Sequence, residues 1–335
     1  MPNVDRPDLP EILRVADEQR MTSSVRSLQR RHTDGELVRV RIGAYVDAAA
    51  WDGLEYEQRE LLRIAAVIGS RRGGAILFGE SAALVLGLPL IGRPGGRVHL
   101  LSGTRAAPPN GRDVVWHRNA VQSSSIIEVD GFLVTDVTRT LLDVSRTVPF
   151  LGAISAVDRG IRQRFTTPGI RFEDGSLQWT DPTPLAGASR AELTDSLARS
   201  PGTRGVSLAR RTIQFADPRA GSPGESISRA QIHVHGFPPP ALQTEFTHDG
   251  GVDITDFDWP DFGICGEFDG KVKYFREEFL GDLTPNEVVW RERQRERRIK
   301  RGHGRDMARW VWSDSTGDGL GLCDELRSAG LPRVR

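Results

Sequence analysis

In the first fifty residues, the pattern of apolar positions predicts two helices followed by a two-stranded ribbon. One helix is expected to begin at Asp8 and to bury Leu13, and a second to run from Thr22 or Ser23 to about His32. The segment ELVRVRIGAYV then gives two short runs of strand-forming residues around a glycine turn. Helix, helix and ribbon is the order of a winged helix, which we expect over residues 1–50.

The middle of the chain alternates helical and strand patterns. In residues 51–165, EQRELLRIAAVIG and TDVTRTLLDVSR have the spacing of amphipathic helices, whereas RVHLL, DVVWHR and SIIEV predict strands. We therefore expect a mixed α/β module there. Residues 166–204 begin with a stretch rich in Thr, Pro, Gly and Asp, which predicts a loosely structured linker followed by a helical connector.

The pattern changes again in residues 205–335. SPGESISRAQIHVHG has a Ser-Pro helix start, and three strand-like segments follow it: ALQTEFTH, DITDFDW and FGICGEFDGKVKY. A long basic helix and the strand ARWVW come next. The predicted order is α-β-β-β-α-β, so the whole chain is expected to be a multidomain α/β protein.

Composition limits where the protein can work. The 335 residues carry 45 Lys and Arg against 45 Asp and Glu, so any surface that attracts nucleic acid must be local. The two cysteines provide neither a disulfide framework nor a zinc site. The N-terminus lacks the pattern of a signal peptide, and the longest apolar runs are too short to span a bilayer. We expect a cytoplasmic protein without a membrane partner.

Charged residues on one predicted strand suggest chemistry. Glu267, Asp269, Lys271 and Lys273 have odd numbers and so share one face of a continuous strand, and Asp256 lies in the strand before it. Carboxylates on neighbouring strands can hold Mg²⁺ or Mn²⁺, and a lysine beside them can orient water or neutralise a phosphate. The alternative is an ordinary exposed strand, in which apolar and charged residues also alternate.

Two further features belong to this hypothesis. Glu225, in the first turn of the preceding helix, could add another carboxylate. Residues 287–309 carry nine Lys and Arg against four Asp and Glu, a balance that attracts phosphate backbones. A solvated helix with pairs of opposite charge explains the second feature equally well.

The stretch from SPGES through ITDFDW, GEFDGKVKY and RERQRERRIKRGHGRDMARWVW resembles bacterial endonuclease-like domains related to very-short-patch repair nucleases, which belong to the PD-(D/E)xK superfamily. The resemblance covers about residues 205–325. It implies roles in catalysis for Asp256, Glu267, Asp269, Lys271 and Glu225, and in metal binding for Asp256, Glu267 and Asp269. Which of the paired carboxylates and lysines (Lys271 or Lys273) carries the chemistry is left open. Arg309 and Trp312 match the last strand, whereas Arg297 stands where the family has an acid.

The N-terminal segments LQRRHTDGELVRVRIGAYVDA, ESAALVLGLPL and GFLVTDVTRTLLDVSR resemble the winged helix and following module of AbiEi-type antitoxins from type IV toxin–antitoxin systems. The winged helix of that family binds operator DNA. The resemblance implies DNA contacts for Arg26, Gln29, Arg30, Arg31, Arg39 and Arg41. In the C-terminal region, Lys273 and Arg295 are the expected DNA contacts.

Two functions of different class follow from these patterns. The first is a DNA-binding protein whose nuclease-type domain cleaves DNA with Mg²⁺ or Mn²⁺. The second is an antitoxin-like transcriptional regulator, with a toxin or its operator as partner, whose nuclease-like domain does not cleave. A structural remnant without either activity is the third alternative.

Overall fold

The computed structural model describes residues 9–15, 24–71, 74–92, 96–102, 109–118, 123–199, 202–270 and 285–334. Over these ranges the chain is a mixed α/β protein with several separate sheets, which confirms the predicted class. No described helix combines the length and the hydrophobicity needed to cross a membrane. The chain forms two compact units, Met1–Val148 with Arg162–Ile213 and Pro149–Ile161 with Gln214–Arg335. We call them the N-terminal and C-terminal units.

The N-terminal unit begins with a small sheet and one helix. Its elements are β1 (Leu13–Arg14), α1 (Ser24–Thr33), β2 (Leu37–Arg41) and β3 (Ala44–Asp47). The strand order is β1-β3-β2 with antiparallel neighbours. Leu28 of α1 packs on Leu37 and Tyr45, and this burial orients the helix on the sheet.

The helix predicted through Leu13 is wrong in the described residues. Leu13 and Arg14 form β1, in which Leu13 pairs with Tyr45 and Arg14 with Ala44. The physical reason is tertiary, because Leu13 joins the Leu28–Tyr45 cluster as part of a strand and a strand partner satisfies its backbone. Asp8, Thr22 and Ser23, where the helix starts are predicted, lie outside the described residues.

The remainder of the N-terminal unit centres on a five-stranded sheet of order β6-β5-β4-β8-β7. The elements are α2 (Ala48–Asp52), α3 (Tyr56–Ile68), β4 (Ile76–Leu77), α4 (Gly79–Val85), β5 (Val98–Leu101), β6 (Val114–His117), β7 (Ile126–Val129), β8 (Phe132–Thr135) and α5 (Val137–Thr147). The alternating pattern read from the sequence therefore corresponds to one sheet with helices packed against it.

The loosely structured linker predicted from residue 166 onward is a second correction. The chain there is ordered as strands that pair in two hairpin-like sheets and continues into helices. The elements are β9 (Arg164–Thr166), β10 (Ile170–Glu173), β11 (Ser176–Trp179), β12 (Pro184–Ala186), α7 (Arg190–Ala198) and α8 (Val206–Phe215). Glycines and prolines mark tight turns between short strands here, and the same residues are typical of linkers.

The C-terminal unit is built on one four-stranded sheet. Its elements are α6 (Phe150–Gly160), α9 (Pro223–Val234), β13 (Ala241–His248), β14 (Gly251–Trp259), β15 (Ile264–Asp269), α10 (Pro285–His303), β16 (Asp306–Val311), α11 (Trp312–Ser315) and α12 (Leu320–Ser328). The strand order is β13-β14-β15-β16, antiparallel except for the parallel pair β15–β16. From α9 onward the order is the α-β-β-β-α-β sequence expected from the pattern.

The two faces of this sheet are covered differently. On one face, Phe257, Ile264, Phe268 and Trp310 form the main core with Ile232 of α9 and Leu322 of α12. On the other face, Cys265 and Phe246 pack on Ile299 of α10. The sheet is therefore sandwiched between helices, and residues on either face are partly shielded from water. Helix α6, which lies in the middle module by sequence, belongs to this unit.

Candidate functional site

The side chains of β15 alternate as predicted. Ile264 and Phe268 enter the main core, whereas Cys265 and Glu267 point to the opposite face, where α10 lies. The charged face is thus a helix-covered surface and not an open one. Glu267 is accordingly buried, with its side chain only 8% exposed.

A cluster of polar side chains lies around Asp256, at the point where β14 and β15 separate. The ladder between them runs from Trp259↔Ile264 to Phe257↔Gly266, and the next Phe268 amide donates a hydrogen bond of 2.9 Å to the Asp256 carboxylate. The Phe268 amide is thus bonded to a side-chain oxygen of Asp256, where a regular sheet would provide a backbone carbonyl of the neighbouring strand. Opposite Asp256 on β13, Gln243 has a φ of 54°, a left-handed conformation that is rare for a residue with a side chain.

Gln243 joins Asp256 to Glu225. Its amide nitrogen donates to Glu225 Oε2 at 2.9 Å and to Asp256 Oδ1 at 3.4 Å. Both partners are carboxylate oxygens, which only accept hydrogen bonds, so the group of Gln243 that faces them is its NH₂. Two carboxylates from different elements therefore converge on a single donor, and we call Glu225, Gln243 and Asp256 the Glu225–Asp256 group.

The start of α9 fixes the position of Glu225. Ser222 caps the helix through a bond from the Glu225 amide, and Pro223 occupies the first turn. Gly224 follows because a Cβ at that position would overlap the Phe268 ring. The carboxylate of Glu225 accepts a hydrogen bond of 2.6 Å from the Gly221 amide, which turns it back over the loop before the helix.

The other carboxylates gather around Arg309 of β16. Its guanidinium contacts Glu292 at 2.9 Å, Glu267 at 3.0 Å, Asp269 at 3.5 Å and Glu296 at 3.6 Å. Arg295 of α10 forms a further ion pair with Glu267 and approaches Glu292. These six residues, called the Arg309 cluster below, contain four carboxylates and two guanidinium groups, so the cluster keeps a negative balance.

Burial and charge act against each other on Glu267. Burial raises the pKa of its carboxyl above the ordinary value, although Arg295 and Arg309 oppose the rise. Burial alone would lower the pKa of Arg309, but Glu267, Glu292 and Asp269 outweigh it and the net shift is upward. The guanidinium group therefore stays charged and compensates the buried carboxylate.

Two more buried carboxylates face the α10 side, each held by an arginine. Asp253 binds Arg298, and Asp258 binds Arg305, both at 2.8 Å. The hydrogen bond from Arg298 holds the pKa of Asp253 below its usual range. Burial, reinforced by the nearby Asp258, raises the pKa of the Cys265 thiol to about 12, so this cysteine is not a nucleophile at neutral pH.

Comparison with known proteins adds relatives without a described function. No family model matches the chain. Two curated proteins from Mycobacterium tuberculosis are similar to it, the uncharacterized protein MT2308 of strain CDC 1551 / Oshkosh and the uncharacterized protein Rv2248 of strain ATCC 25618 / H37Rv. Each is 28% identical over 239 residues, covering 70% of this chain and 74% of the relative.

The structure divides the predicted metal ligands between two groups. Asp256 lies with Glu225, whereas Glu267 and Asp269 belong to the Arg309 cluster. Over the ranges that the structure describes, no three His, Cys, Asp or Glu side chains meet in a metal-binding arrangement. Lys271 and Lys273 lie outside the described residues. Arg295, expected to contact DNA, forms an ion pair with Glu267, and its side chain is 20% exposed.

The N-terminal candidates also differ in exposure. Arg26, Gln29 and Arg30 are exposed on α1, and Arg39 is exposed on β2. Arg31 pairs with Glu36 at 2.9 Å on the surface. Arg41 instead binds the carbonyls of Ala66 and Val67 at the end of α3, so its guanidinium caps a helix.

Sequence reasoning missed Gln243 and placed Arg309 only as a motif residue. A single glutamine in a strand carries no pattern that signals its position between two carboxylates. Arg309 had a signal in its place directly before Trp310 near the end of β16, but its partners lie on α10 and β15. Only the packing of three elements shows that it is the centre of a cluster.

Proposed function

We propose that this chain is a DNA-binding protein whose C-terminal unit hydrolyses phosphodiester bonds with Mg²⁺ or Mn²⁺, in the manner of PD-(D/E)xK nucleases. The observation that carries the proposal is the convergence of Glu225 and Asp256 on one amide at the point where β14 and β15 separate. Carboxylates brought together across elements repel each other unless a donor or a cation joins them. The α-β-β-β-α-β order of the unit supports the same reading.

The donor set of the Glu225–Asp256 group fits a hard divalent ion. Magnesium in proteins is commonly held by one or two carboxylates and several waters, and both groups here are carboxylates. The Gln243 amide presents its nitrogen to both carboxylates, so its oxygen would become a further ligand only if the amide turned over when the ion bound. Glu267 fits less well, because two guanidinium groups already neutralise it. A bound ion would polarise a phosphate oxygen and lower the pKa of a water molecule.

The chain's own residues would orient these ligands. The Phe268 amide holds one oxygen of Asp256, and the Gly221 amide holds one oxygen of Glu225. Asp269, at the end of β15, is restrained by Arg309. In this proposal Lys271, two residues further, binds the phosphate or the attacking water, as the resemblance implies.

Asp256→Asn and Glu225→Gln are expected to lower the rate of plasmid nicking in Mg²⁺ by about a hundredfold or more, since each removes a charged ligand. The measurement compares the full-length variants with the wild type in Mg²⁺, in Mn²⁺ and in EDTA. Asp261→Asn is the matched control, because Asp261 is an exposed carboxylate after the same strand. Equal background nicking by the wild type and Asp256→Asn would refute hydrolysis at this site.

The second candidate function is a non-cleaving, antitoxin-like transcriptional regulator. It is favoured by the Arg309 cluster, in which guanidinium groups already compensate the Glu267 and Asp269 carboxylates without a metal. Such a protein would bind its own promoter or a toxin operator in EDTA, and its partner would be the product of a neighbouring toxin gene.

The double variant Arg26→Ala/Arg30→Ala is expected to weaken promoter-DNA binding in both functions, because both arginines are exposed on α1. If each contacts one phosphate, the slope of log affinity against log salt should fall by about 2. Fluorescence anisotropy at several salt concentrations measures this, with Arg199→Ala, directly after α7, as an exposed control. An unchanged slope would remove α1 from the interface.

A further inference from the structure

Helix α10 has an outward face that combines an aromatic side chain with arginines. Trp290 is 62% exposed, and Arg293, Arg297 and Arg301 follow it as exposed residues. The spacing of three, seven and eleven residues from Trp290 places all four on one side of the helix. We call these four residues the Trp290 row. It extends over about 16 Å of helix axis at 1.5 Å per residue.

The opposite face of α10 packs against the sheet. Ile299 is buried there, Arg295 pairs with Glu267, and Arg298 pairs with Asp253. In contrast, none of the three arginines in the Trp290 row pairs with a carboxylate in the described part of the chain. Glu287, one turn before Trp290, is an exposed acid at the border of the row. Glu296, whose side chain is 40% exposed, contacts Arg309. The row therefore presents a net positive charge to solvent.

Trp290 is the most exposed tryptophan that the structure describes in the unit. Trp312 is 41% exposed, whereas Trp259 and Trp310 are 2% and 1% exposed in the main core. More than half of the Trp290 side chain is in contact with solvent, so the indole is accessible to a partner. An aromatic ring among unpaired cations suits a partner with both flat π-faces and phosphates, and unpaired nucleic-acid bases provide that combination.

We propose that the Trp290 row binds single-stranded DNA, with Trp290 stacking on an unpaired base and the three arginines contacting the adjacent phosphates. The inference rests on the proposed function, since it adds a contact to an unpaired segment of the DNA that the C-terminal unit binds. Duplex DNA offers phosphates but keeps its bases stacked inside. The indole therefore discriminates between the two forms, whereas the arginines bind both.

The test uses the full-length protein in EDTA, where binding is measured without cleavage. The probes are a fluorescent oligo-dT of 20 nucleotides and a duplex of the same length. Trp290→Ala is expected to weaken oligo-dT binding about tenfold and to leave duplex binding within twofold, because stacking requires an unpaired base. Trp290→Tyr should restore most of the lost affinity, since the tyrosine ring also stacks.

The arginines have a separate readout. Arg293→Gln/Arg297→Gln/Arg301→Gln is expected to reduce the salt slope for oligo-dT by about 2, at about 0.7 per phosphate contact. Arg327→Gln on α12 is the control, because this arginine is exposed and lies outside the row. Circular dichroism of each variant establishes that the helix content is unchanged.

The outcomes separate this inference from the proposed hydrolysis. If Asp256→Asn abolishes nicking while Trp290→Ala binds oligo-dT like the wild type, the inference fails and hydrolysis stands. If the wild type never nicks DNA but Trp290→Ala loses tenfold in oligo-dT affinity, the inference stands and hydrolysis fails. Equal losses on duplex and oligo-dT would overturn the stacking role, and tighter binding to oligo-U would overturn the choice of DNA.

Discussion

Replacing Asp158 with alanine is expected to lower the free energy of unfolding of the C-terminal unit by about 3–5 kcal/mol, the cost of leaving a buried charge without its partner. Asp158 of α6 is 1% exposed and Arg229 of α9 is 9% exposed. The guanidinium of Arg229 donates to both carboxylate oxygens, at 2.8 and 2.9 Å. Both bonds come from Nη2, so one guanidinium nitrogen bridges the two oxygens of a buried carboxylate.

The surroundings of Arg229 cannot replace the lost carboxylate. Its other hydrogen bond goes to the Phe215 carbonyl at 2.7 Å, the Phe215 ring lies 4.2 Å from the guanidinium, and Asp217 acts on it only as a more distant charge. Asp158 also accepts a hydrogen bond from the Asp217 amide, which would lose its acceptor as well. Burial raises the pKa of Asp158, and Arg229 is the main group that opposes the rise. The two charges are therefore stable only together.

Urea unfolding of the full-length variant, followed by the fluorescence of the tryptophans buried in the C-terminal unit, measures the effect. Asp158→Leu/Arg229→Met should be less destabilised than Asp158→Ala, because removing both charges avoids the unpaired one. Asp195→Ala, on the surface of α7, serves as control and should stay within about 0.5 kcal/mol of the wild type. A loss below about 1 kcal/mol for Asp158→Ala would contradict the buried pair.

The same pair shows what the sequence could predict about the fold and what it could not. The α6 helix is evident from its apolar spacing, but nothing in that spacing assigns it to the C-terminal unit. Asp158 and Arg229 are 71 positions apart, and their contact depends on how α6 packs on α9. The predicted boundary at residue 205 therefore leaves out a helix that this unit contains.

For the candidate site too, the sequence predicted the local pattern of side chains but not the contacts between distant elements. Period-two alternation correctly gave opposite faces to Phe268 and Glu267, because register follows from the pleat alone. The sequence could not predict that Asp256 lies with Glu225 and apart from Glu267. That arrangement depends on where β14 and β15 separate and on the left-handed backbone at Gln243. Pairing of Glu267 with Arg309 requires the parallel strand β16, which no local pattern positions.

Replacing Arg309 with methionine is expected to cost the C-terminal unit about 3 kcal/mol at pH 8, because the buried Glu267 loses one of its two cations. Methionine preserves much of the side-chain volume, so the loss reports charge more than packing. Arg295 would then be the remaining partner of Glu267 and Glu292, and Asp269 and Glu296 would lose their contact with Arg309. Arg309→Lys should recover only part of the stability, since one ammonium group cannot span the directions that the guanidinium reaches.

The expected pH dependence identifies the charge responsible. Burial already raises the pKa of Glu267 in the folded protein, and removal of Arg309 raises it further. The folded state then holds this proton more tightly than the unfolded chain, so stability falls as pH rises from the ordinary glutamate value through the raised one. The deficit of Arg309→Met relative to the wild type should therefore be largest at pH 8 and clearly smaller at pH 5.

Urea unfolding of the full-length protein at both pH values measures this difference. Arg309→Met/Glu267→Gln is the decisive companion, because it removes the buried negative charge together with the cation. The double variant should recover at least half of the stability that Arg309→Met loses at pH 8. Its own remaining loss relative to the wild type should change little between pH 5 and pH 8. An Arg309→Met deficit that is equal at pH 5 and pH 8 would contradict charge compensation and would leave Arg309 with a packing role only. Compensation by arginine, if measured, would also explain how β15 keeps its carboxylates in place beside the Glu225–Asp256 group before any cation binds.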